Sequence, residues 1–157
     1  SHGVLVEGEG GYLVRLARCC NPIPGDPITG YITRGRGVSV HRSDCPNVLN
    51  DTEFTRVIEV SWDIGLDKEY TVGIEIICND RNGMLAELLA VPAEMKVNIH
   101  TVNATPNRRN KTSTVLLGLN VSNIDQITQV MTRMRLLKDV YRVTRTLGSS
   151  GLPNGDV

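Results

Sequence analysis

The second half of this 157-residue chain alternates between two apolar patterns in an order that few folds can satisfy. Apolar residues at every second position predict strands, and apolar residues three or four positions apart predict helices. The resulting order is β-α-β-β-α-β. The predicted elements are Tyr70 to Asn79, Met84 to Met95, Val97 to Thr105, Thr112 to Val121, Ile124 to Leu137 and Tyr141 to Leu147.

This order predicts a ferredoxin-like unit, in which two helices cover one face of a four-stranded antiparallel sheet. The helix beginning at Met84 contains Pro92, which removes a backbone donor and crowds the preceding turn. We therefore expect that helix to break near Val91.

The first half predicts a small mixed, β-rich module, so the fold class of the chain is α+β. A strand from Tyr12 to Cys20 ends at a loop, Asn21 to Pro27, whose three prolines and one glycine prevent any regular element from continuing. Glycines at 35 and 37 predict a hairpin turn. The further predicted elements are strands at Ile28 to Thr33, Val38 to Arg42 and Arg56 to Trp62, and a short helix at Cys45 to Leu49.

Composition describes a chain for solution rather than for a membrane. It is 40% hydrophobic with a formal net charge of zero, and no apolar run approaches the ~20 residues that span a bilayer. No signal peptide opens it, so we expect a cytoplasmic location. The expected organisation is a tag remnant at 1–3, a first module at 4–62, a linker at 63–69, a second module at 70–147 and a disordered tail at 148–157.

The turn from Asn79 to Leu85 joins a strand end to a helix start. Backbone N–H groups at such a position are unpaired, and with the helix dipole they can bind a carboxylate; Gly83 would let a small zwitterionic ligand approach closely. Ordinary capping of the helix by Asp80 needs no ligand, and the turn alone favours that explanation.

Cysteines in a cytosolic chain are thiols or metal ligands more often than disulfides. Cys19, Cys20, His41 and Cys45 are the right residue types for tetrahedral zinc. Adjacent residues of a strand point to opposite faces, so Cys19 and Cys20 could share a metal only if the chain bends there. Buried free thiols are the favoured interpretation and zinc is the alternative; Cys78 is expected to be plain core.

The arginines of the first half could form a positive face, since guanidinium groups make bidentate contacts with phosphate. A solvated sheet face is the more common role for scattered arginines. The candidates are Arg15, Arg18, Arg34, Arg36 and Arg42.

Two stretches carry a resemblance to known families. Asp80 to Leu85, followed by Val97 to Ile99, resembles an ACT domain. Leu16 to Asp26, together with Gly30 to Asn47, resembles the conserved-cysteine module of long RelA/SpoT-type stringent-response proteins, which is also called the RIS or zinc-finger domain. In that family the module directly precedes a C-terminal ACT domain, and the order here is the same.

The resemblance implies a non-catalytic regulatory end of a bifunctional (p)ppGpp synthetase/hydrolase whose catalytic domains lie elsewhere. It also implies amino-acid binding between paired ACT copies, ribosome contact through large-subunit RNA and A-site tRNA, and contact with the protein's own N-terminal domains. The amino acid would be branched-chain or another type. The implied amino-acid-binding residues are Asn79, Asp80, Arg81, Asn82, Gly83, Met84, Leu85, Asn98 and Ile99.

Two other classes remain open. One is a stand-alone zinc metalloprotein or hydrolase that uses Cys19, Cys20, His41 and Cys45. Stoichiometric zinc with an open coordination position would favour this class. The other makes the ACT unit a dimerisation device only, because exposed sheet edges readily pair.

Overall fold

The computed structural model describes residues 3–8, 12–48, 54–63 and 69–146. The chain divides into two compact units, and the described residues up to 63 belong to the first and those from 69 onward to the second. Residues 1–2 of the expected tag remnant, 64–68 of the expected linker and the expected tail at 148–157 lie outside the described residues.

The first unit contains six described strands in two sheets. A four-stranded sheet has the order β2-β4-β3-β5, with β2 and β4 parallel and the other pairs antiparallel. β1 and β6 form a separate antiparallel pair. The mixed, β-rich prediction is confirmed. The strands are β1 (Val4–Val6), β2 (Val14–Leu16), β3 (Ile28–Thr33), β4 (Val38–Arg42), β5 (Phe54–Ile58) and β6 (Val60–Trp62).

Valines and isoleucines on one face of the four-stranded sheet form the main core of this unit. Val38 and Val40 of β4 are buried there with Ile58 of β5, and Trp62 packs against them. The Trp62 indole N–H also donates to the Asp26 carbonyl oxygen at 2.9 Å, which ties the proline loop to β6.

Two strand expectations for this unit are wrong. The strand predicted to reach Cys20 ends at Leu16, and the one predicted from Arg56 to Trp62 divides at Glu59, because its second half pairs with β1 instead of β3. The short helix predicted at Cys45 to Leu49 is described only in part: a turn at Pro46 and Asn47 leads into 3₁₀ geometry at Val48, and Leu49 lies outside the described residues.

The second unit has the predicted β-α-β-β-α-β order. Its four strands are antiparallel in the order β10-β7-β9-β8, so the two edges of the sheet are β10 and β8. The elements are β7 (Tyr70–Asn79), α1 (Met84–Glu94), β8 (Asn98–Asn107), β9 (Thr112–Val121), α2 (Ile124–Arg135) and β10 (Val140–Arg145).

One face of this sheet is apolar and buried, as the period of two predicts. Ile74 pairs with Leu117 and Ile76 with Val115, and all four side chains are buried. The helices bury their own apolar stripes, including Leu88 of α1.

The break expected near Val91 does not occur. Pro92 lies inside the single helix α1, which ends two residues later at Glu94. The proline therefore interrupts only the last turn, and its ring is buried with Leu88 and Val91. Packing of the apolar face outweighs the missing hydrogen bond.

Candidate functional site

A turn after β2 places Cys19 and Cys20 on the same side of the chain. The Asn21 N–H donates to the Ala17 carbonyl oxygen at 3.0 Å, and Asn21 adopts a positive φ of 48°. The two cysteines are therefore not on a strand. The geometric objection to a shared metal, that neighbouring strand residues face opposite ways, does not apply.

Four metal-ligating side chains meet at this turn. The ligand atoms of Cys19, Cys20, His41 and Cys45 all lie within 4.8 Å of one another. The His41 Nδ1 is 3.4 Å from the Cys19 Sγ and 3.8 Å from the Cys20 Sγ, and the Cys19 and Cys45 sulfurs are 3.5 Å apart.

The three shorter separations, 3.4, 3.5 and 3.8 Å, are close to the edges of a tetrahedral zinc shell. Bond lengths of ~2.3 Å for Zn–S and ~2.0–2.1 Å for Zn–N put the ligand atoms of such a shell about 3.5–3.8 Å apart. The residues present are therefore donor types that zinc takes and lie close enough together to hold a metal ion, in a setting where Cys20, His41 and Cys45 are buried.

Backbone and side-chain groups around the cluster orient its members. The Arg42 N–H donates to the Cys20 Sγ at 3.3 Å, and the Ser39 hydroxyl lies 3.2 Å from the His41 Nε2. Burial, followed by the neighbouring Cys45 thiol, raises the pKa of Cys19, and burial raises the pKa of Cys20. A metal must therefore displace protons from these thiols when it binds.

The second candidate site is the turn between β7 and α1. Gly83 is the N-cap of α1 with a positive φ of 83°, and no side chain caps the helix. The capping explanation, in which Asp80 serves as the cap, is therefore wrong: Asp80 is exposed three residues earlier, and its N–H donates to the Lys111 carbonyl oxygen at 2.8 Å.

A cavity of about 160 Å³ opens beside this turn. The paired residues Cys78, Ser113 and Pro106 contribute from β7, β9 and β8, and Val115 and Ala104 form the next row across the same sheet. The full lining is Cys78, Asn79, Asp80, Arg81, Met84, Leu85, Ala104, Pro106, Ser113 and Val115.

Most of the predicted turn residues line this cavity, but Asn82 and Gly83 do not. Cys78 is buried core, as expected, with its thiol 3.7 Å from the Ser113 carbonyl oxygen, and it also borders the cavity. Sequence reasoning missed Ala104, Pro106, Ser113 and Val115, because only the pairing register of the strands brings them to the turn.

Arg81 is engaged by groups of its own chain. Its Nε donates to the Asp139 Oδ2 at 2.8 Å, its Nη1 to the Glu87 Oε2 at 2.7 Å and its Nη2 to the Lys138 carbonyl oxygen at 3.3 Å. These bonds fix the β7–α1 turn against the α2–β10 turn. Arg81 thus shapes the cavity wall, with three of its five N–H groups bonded to its own chain.

Asn98 and Ile99 lie at the other end of the sheet. Asn98 pairs with Asn120, which pairs with Thr71 near the start of β7, whereas the turn follows Asn79 at its end. Eight residues of strand at ~3.4 Å each separate the two positions by about 27 Å. Within one copy of the chain, the predicted amino-acid-binding residues therefore do not form one site.

The five candidate arginines fall into separate groups. Arg15 and Arg18 are exposed and line a cavity of about 350 Å³ with Cys19, Ser39 and His41. Arg34 and Arg36 are exposed in the β3–β4 hairpin turn. Arg42 is largely buried, and its Nη2 pairs with the Asp44 Oδ2 at 2.8 Å beside a different cavity.

Both units of the chain match models of known domain families. Residues 4–63 match the RelA/SpoT RIS domain and residues 66–145 match the ACT domain. A small cysteine-containing β unit and a ferredoxin-like unit thus define a regulatory protein of the ACT class. The chain belongs to the RelA/SpoT family and carries its RIS and ACT domains.

The similar proteins are much longer than this chain. It is 34% identical over 144 residues to a GTP pyrophosphokinase of Haemophilus influenzae, covering 90% of this chain and 19% of the relative. For the GTP pyrophosphokinase of Myxococcus xanthus the identity is 39% over 143 residues, with 91% and 19% covered. The chain matches the regulatory part of these proteins and not their catalytic domains.

Among solved structures, the ACT domain from GTP pyrophosphokinase of Chlorobium tepidum is 30% identical, with 49% of this chain and 97% of that chain covered and a TM-score of 0.44. Within the described residues, neither α1 nor α2 has the length and apolar character needed to cross a membrane.

Proposed function

We propose that this chain is the regulatory region of a bifunctional (p)ppGpp synthetase/hydrolase of the stringent response. In this proposal the ACT unit senses an amino acid, the RIS unit contacts ribosomal RNA, and both act on the protein's own N-terminal catalytic domains. The single observation that carries the sensing role is the cavity beside the uncapped start of α1.

The cavity suits a small aliphatic amino acid. Its volume of about 160 Å³ equals about five water molecules at ~30 Å³ each, which is too small for a nucleotide. The Met84 N–H donates to the Arg81 carbonyl oxygen at 3.2 Å, but no side chain caps α1, so the helix dipole favours a carboxylate there. Met84, Val115 and Cys78 supply an apolar wall for a branched side chain.

A second copy of the chain would complete this site. β8 is a long edge strand whose residues are mostly exposed, and edge strands readily pair with one another. If two copies pair antiparallel about the middle of β8, the start of one strand lies opposite the end of the other. Asn98 and Ile99 of the second copy would then reach the cavity rim at Pro106.

Amide chemical-shift mapping with valine, leucine and isoleucine tests the sensing role. We expect shifts at Asp80 to Leu85 and at Asn98 to Ile99, with D-valine as the inactive control. Ala104→Leu should fill the cavity and weaken binding at least tenfold, whereas Ala93→Leu, on exposed α1 surface, should not. A folded dimer that shows no shifts with any of the three amino acids would instead support the dimerisation role alone.

The cavity beside Arg15 and Arg18 supports RNA contact by the RIS unit. Its described lining contains two arginines and no carboxylate, so a phosphate can approach without like-charge repulsion. Arg34 and Arg36 extend the positive charge onto the hairpin turn, while Arg42 is committed to Asp44. We therefore narrow the proposed RNA surface to the first four arginines.

Binding of large-subunit ribosomal RNA fragments and of tRNA, measured as a function of salt, tests this role of the RIS unit. Replacing Arg15 and Arg18 by glutamine should reduce the salt slope by about 1 for each phosphate that the variant no longer neutralises. Arg133→Gln, on the exposed surface of the ACT unit, is the matched control. An unchanged slope in the double variant would rule out the proposed surface.

Zinc is the second proposal for the RIS unit, supported by the cluster geometry. Four protein ligands fill a tetrahedral shell, which is typical of a structural site and leaves no open position for hydrolysis. This argues against the stand-alone hydrolase. We expect one zinc per chain by elemental analysis, loss of that zinc in Cys19→Ser, and full retention in Cys78→Ser.

A further inference from the structure

Ser39 is a buried polar residue that the chain places beside the cysteine cluster. Ser39 lies on β4 between Val38 and Val40 and is 2% exposed. Because residues i and i+2 of a strand share a face, Ser39 lies on the same side of the sheet as His41. A buried hydroxyl costs free energy unless it is hydrogen-bonded, so its partner is informative.

The partner of the Ser39 hydroxyl is the distal nitrogen of the imidazole. The Ser39 Oγ lies 3.2 Å from the His41 Nε2, while the Nδ1 of the same ring faces the sulfurs of Cys19 and Cys20. A neutral imidazole has one N–H and one lone pair. If Nδ1 offers its lone pair to a metal, Nε2 must carry the proton, and the Ser39 oxygen is placed to accept it.

Packing fixes the ring from another direction. The Tyr31 ring meets the His41 ring edge to face, with centroids 5.7 Å apart and planes at 83°. An aromatic contact of this kind restrains the ring plane, but it does not distinguish one nitrogen from the other. The hydroxyl of Ser39 supplies that distinction.

We propose that Ser39 is a positioning residue for the metal site: it accepts the Nε2–H of His41 and so holds Nδ1 as the ligand atom facing the three thiols. The inference rests on the proposed zinc function. It assigns the hydroxyl a role in metal affinity beyond its contribution to the fold, as outer-shell acceptors of ligating histidines have elsewhere.

Zinc affinity of the 157-residue chain, measured by competition with a chromophoric chelator, tests the role. Ser39→Ala should bind zinc 10- to 100-fold more weakly, about the range that follows removal of an outer-shell partner. Ser39→Thr keeps the hydroxyl and should restore binding. Thr33→Val is the matched control: it removes another buried hydroxyl of the same sheet, one that donates to the Gly37 carbonyl oxygen at 2.8 Å.

The imidazole nitrogens provide a readout that fold stability alone would not change. In zinc-loaded wild type, proton–nitrogen spectra should show the proton on Nε2 and the metal on Nδ1, with slow exchange of the Nε2 proton. In Ser39→Ala that exchange should accelerate. Metal on Nε2 in the wild type, or wild-type affinity and exchange in Ser39→Ala, would overturn the role of Ser39. Failure of the wild type to bind zinc would instead overturn the metal site itself.

Discussion

The two units of this chain build their candidate sites in opposite ways. In the RIS unit, a turn, a strand and a second turn of one chain bring Cys19, Cys20, His41 and Cys45 within 4.8 Å of one another. In the ACT unit, the same chain leaves Asn79 and Asn98 at opposite ends of one sheet. Within one copy of the chain the first set of residues lies together and the second does not, which is why we propose that a second copy completes the ACT site.

The two candidate sites are held together by different features of the fold. The RIS unit has short strands of three to six residues, and its cluster is held by side-chain contacts that the proposed zinc would strengthen. The ACT unit has three strands of ten residues, and residues of these three strands line its cavity. Metal removal and loss of association should therefore affect different units.

The largest expected effect is loss of the RIS unit alone on removal of a ligand. Cys45→Ser should abolish stoichiometric zinc binding and cooperative unfolding of that unit, because structural zinc contributes ~10–16 kcal/mol in small metal domains. Trp62 is the single tryptophan, so its fluorescence reports this unit. The helices α1 and α2 belong to the ACT unit, so ellipticity at 222 nm reports that one.

If Trp62 fluorescence and the ellipticity at 222 nm changed together in Cys45→Ser, the two units would not unfold independently. Cys78→Ser is the control with the same chemical change in the other unit. It should leave Trp62 fluorescence as in the wild type.

A reciprocal effect, second in size, is expected from the ACT core. Leu88 is fully buried on α1, and Leu88→Ala should destabilise the ACT unit by about 2–5 kcal/mol. The measurement is denaturant unfolding followed at 222 nm, with Trp62 fluorescence recorded in parallel. Leu136→Ala, at a residue 81% exposed, is the control and should change stability little. A shift in the Trp62 transition would contradict independent folding.

The secondary structure of the ACT unit could be predicted from sequence more completely than that of the RIS unit, for a physical reason. Apolar periods are strong where strands run ten residues and helices eleven or twelve, so the ACT elements were all predicted to within a few residues. The one wrong prediction among these elements was the helix break near Val91, because the rule that proline breaks a helix interior was applied to Pro92, which lies in the last turn of α1. In the RIS unit, strands of three residues carry too little pattern: β1 was missed and β5 and β6 were merged.

The sites were predictable to a different degree. The strand at Val38 to Arg42, which contains His41, was predicted from sequence. The turn after Leu16 that brings Cys19 and Cys20 together was not, because no apolar period marks it. The Asp80 turn was found from its residue types. Its cavity partners Ala104 and Ser113 were not, since cross-strand register is a tertiary property.

Association should matter to the ACT site with a smaller energy. Val102, on the β8 edge, is 42% exposed and does not line the cavity. Val102→Lys should oppose pairing of two copies by placing like charges together, and amino-acid affinity should fall about tenfold, or about 1.4 kcal/mol. Sedimentation and calorimetric titration together check this. Val57→Lys, at an exposed position of the RIS unit, is the control. Unchanged amino-acid affinity in a monomeric Val102→Lys variant would show that one copy of the chain is enough to bind the amino acid.

The smallest expected effect concerns the arginine that shapes the cavity wall. The Arg81 guanidinium holds the pKa of Glu87 below its ordinary value, chiefly through their hydrogen bond. A carboxyl whose pKa is lowered by folding adds stability that is present above its unfolded-state pKa and lost as pH falls through the folded value. Arg81→Gln should raise the pKa of Glu87 toward normal and make ACT stability less dependent on pH in the acid range. Carboxyl carbon NMR titration measures this, and Arg142→Gln, which breaks the pair with Glu75 instead, should leave Glu87 unchanged. If Glu87 titrated alike in all three proteins, the Arg81 contact would not order the turn, and the cavity would owe its shape to the sheet alone.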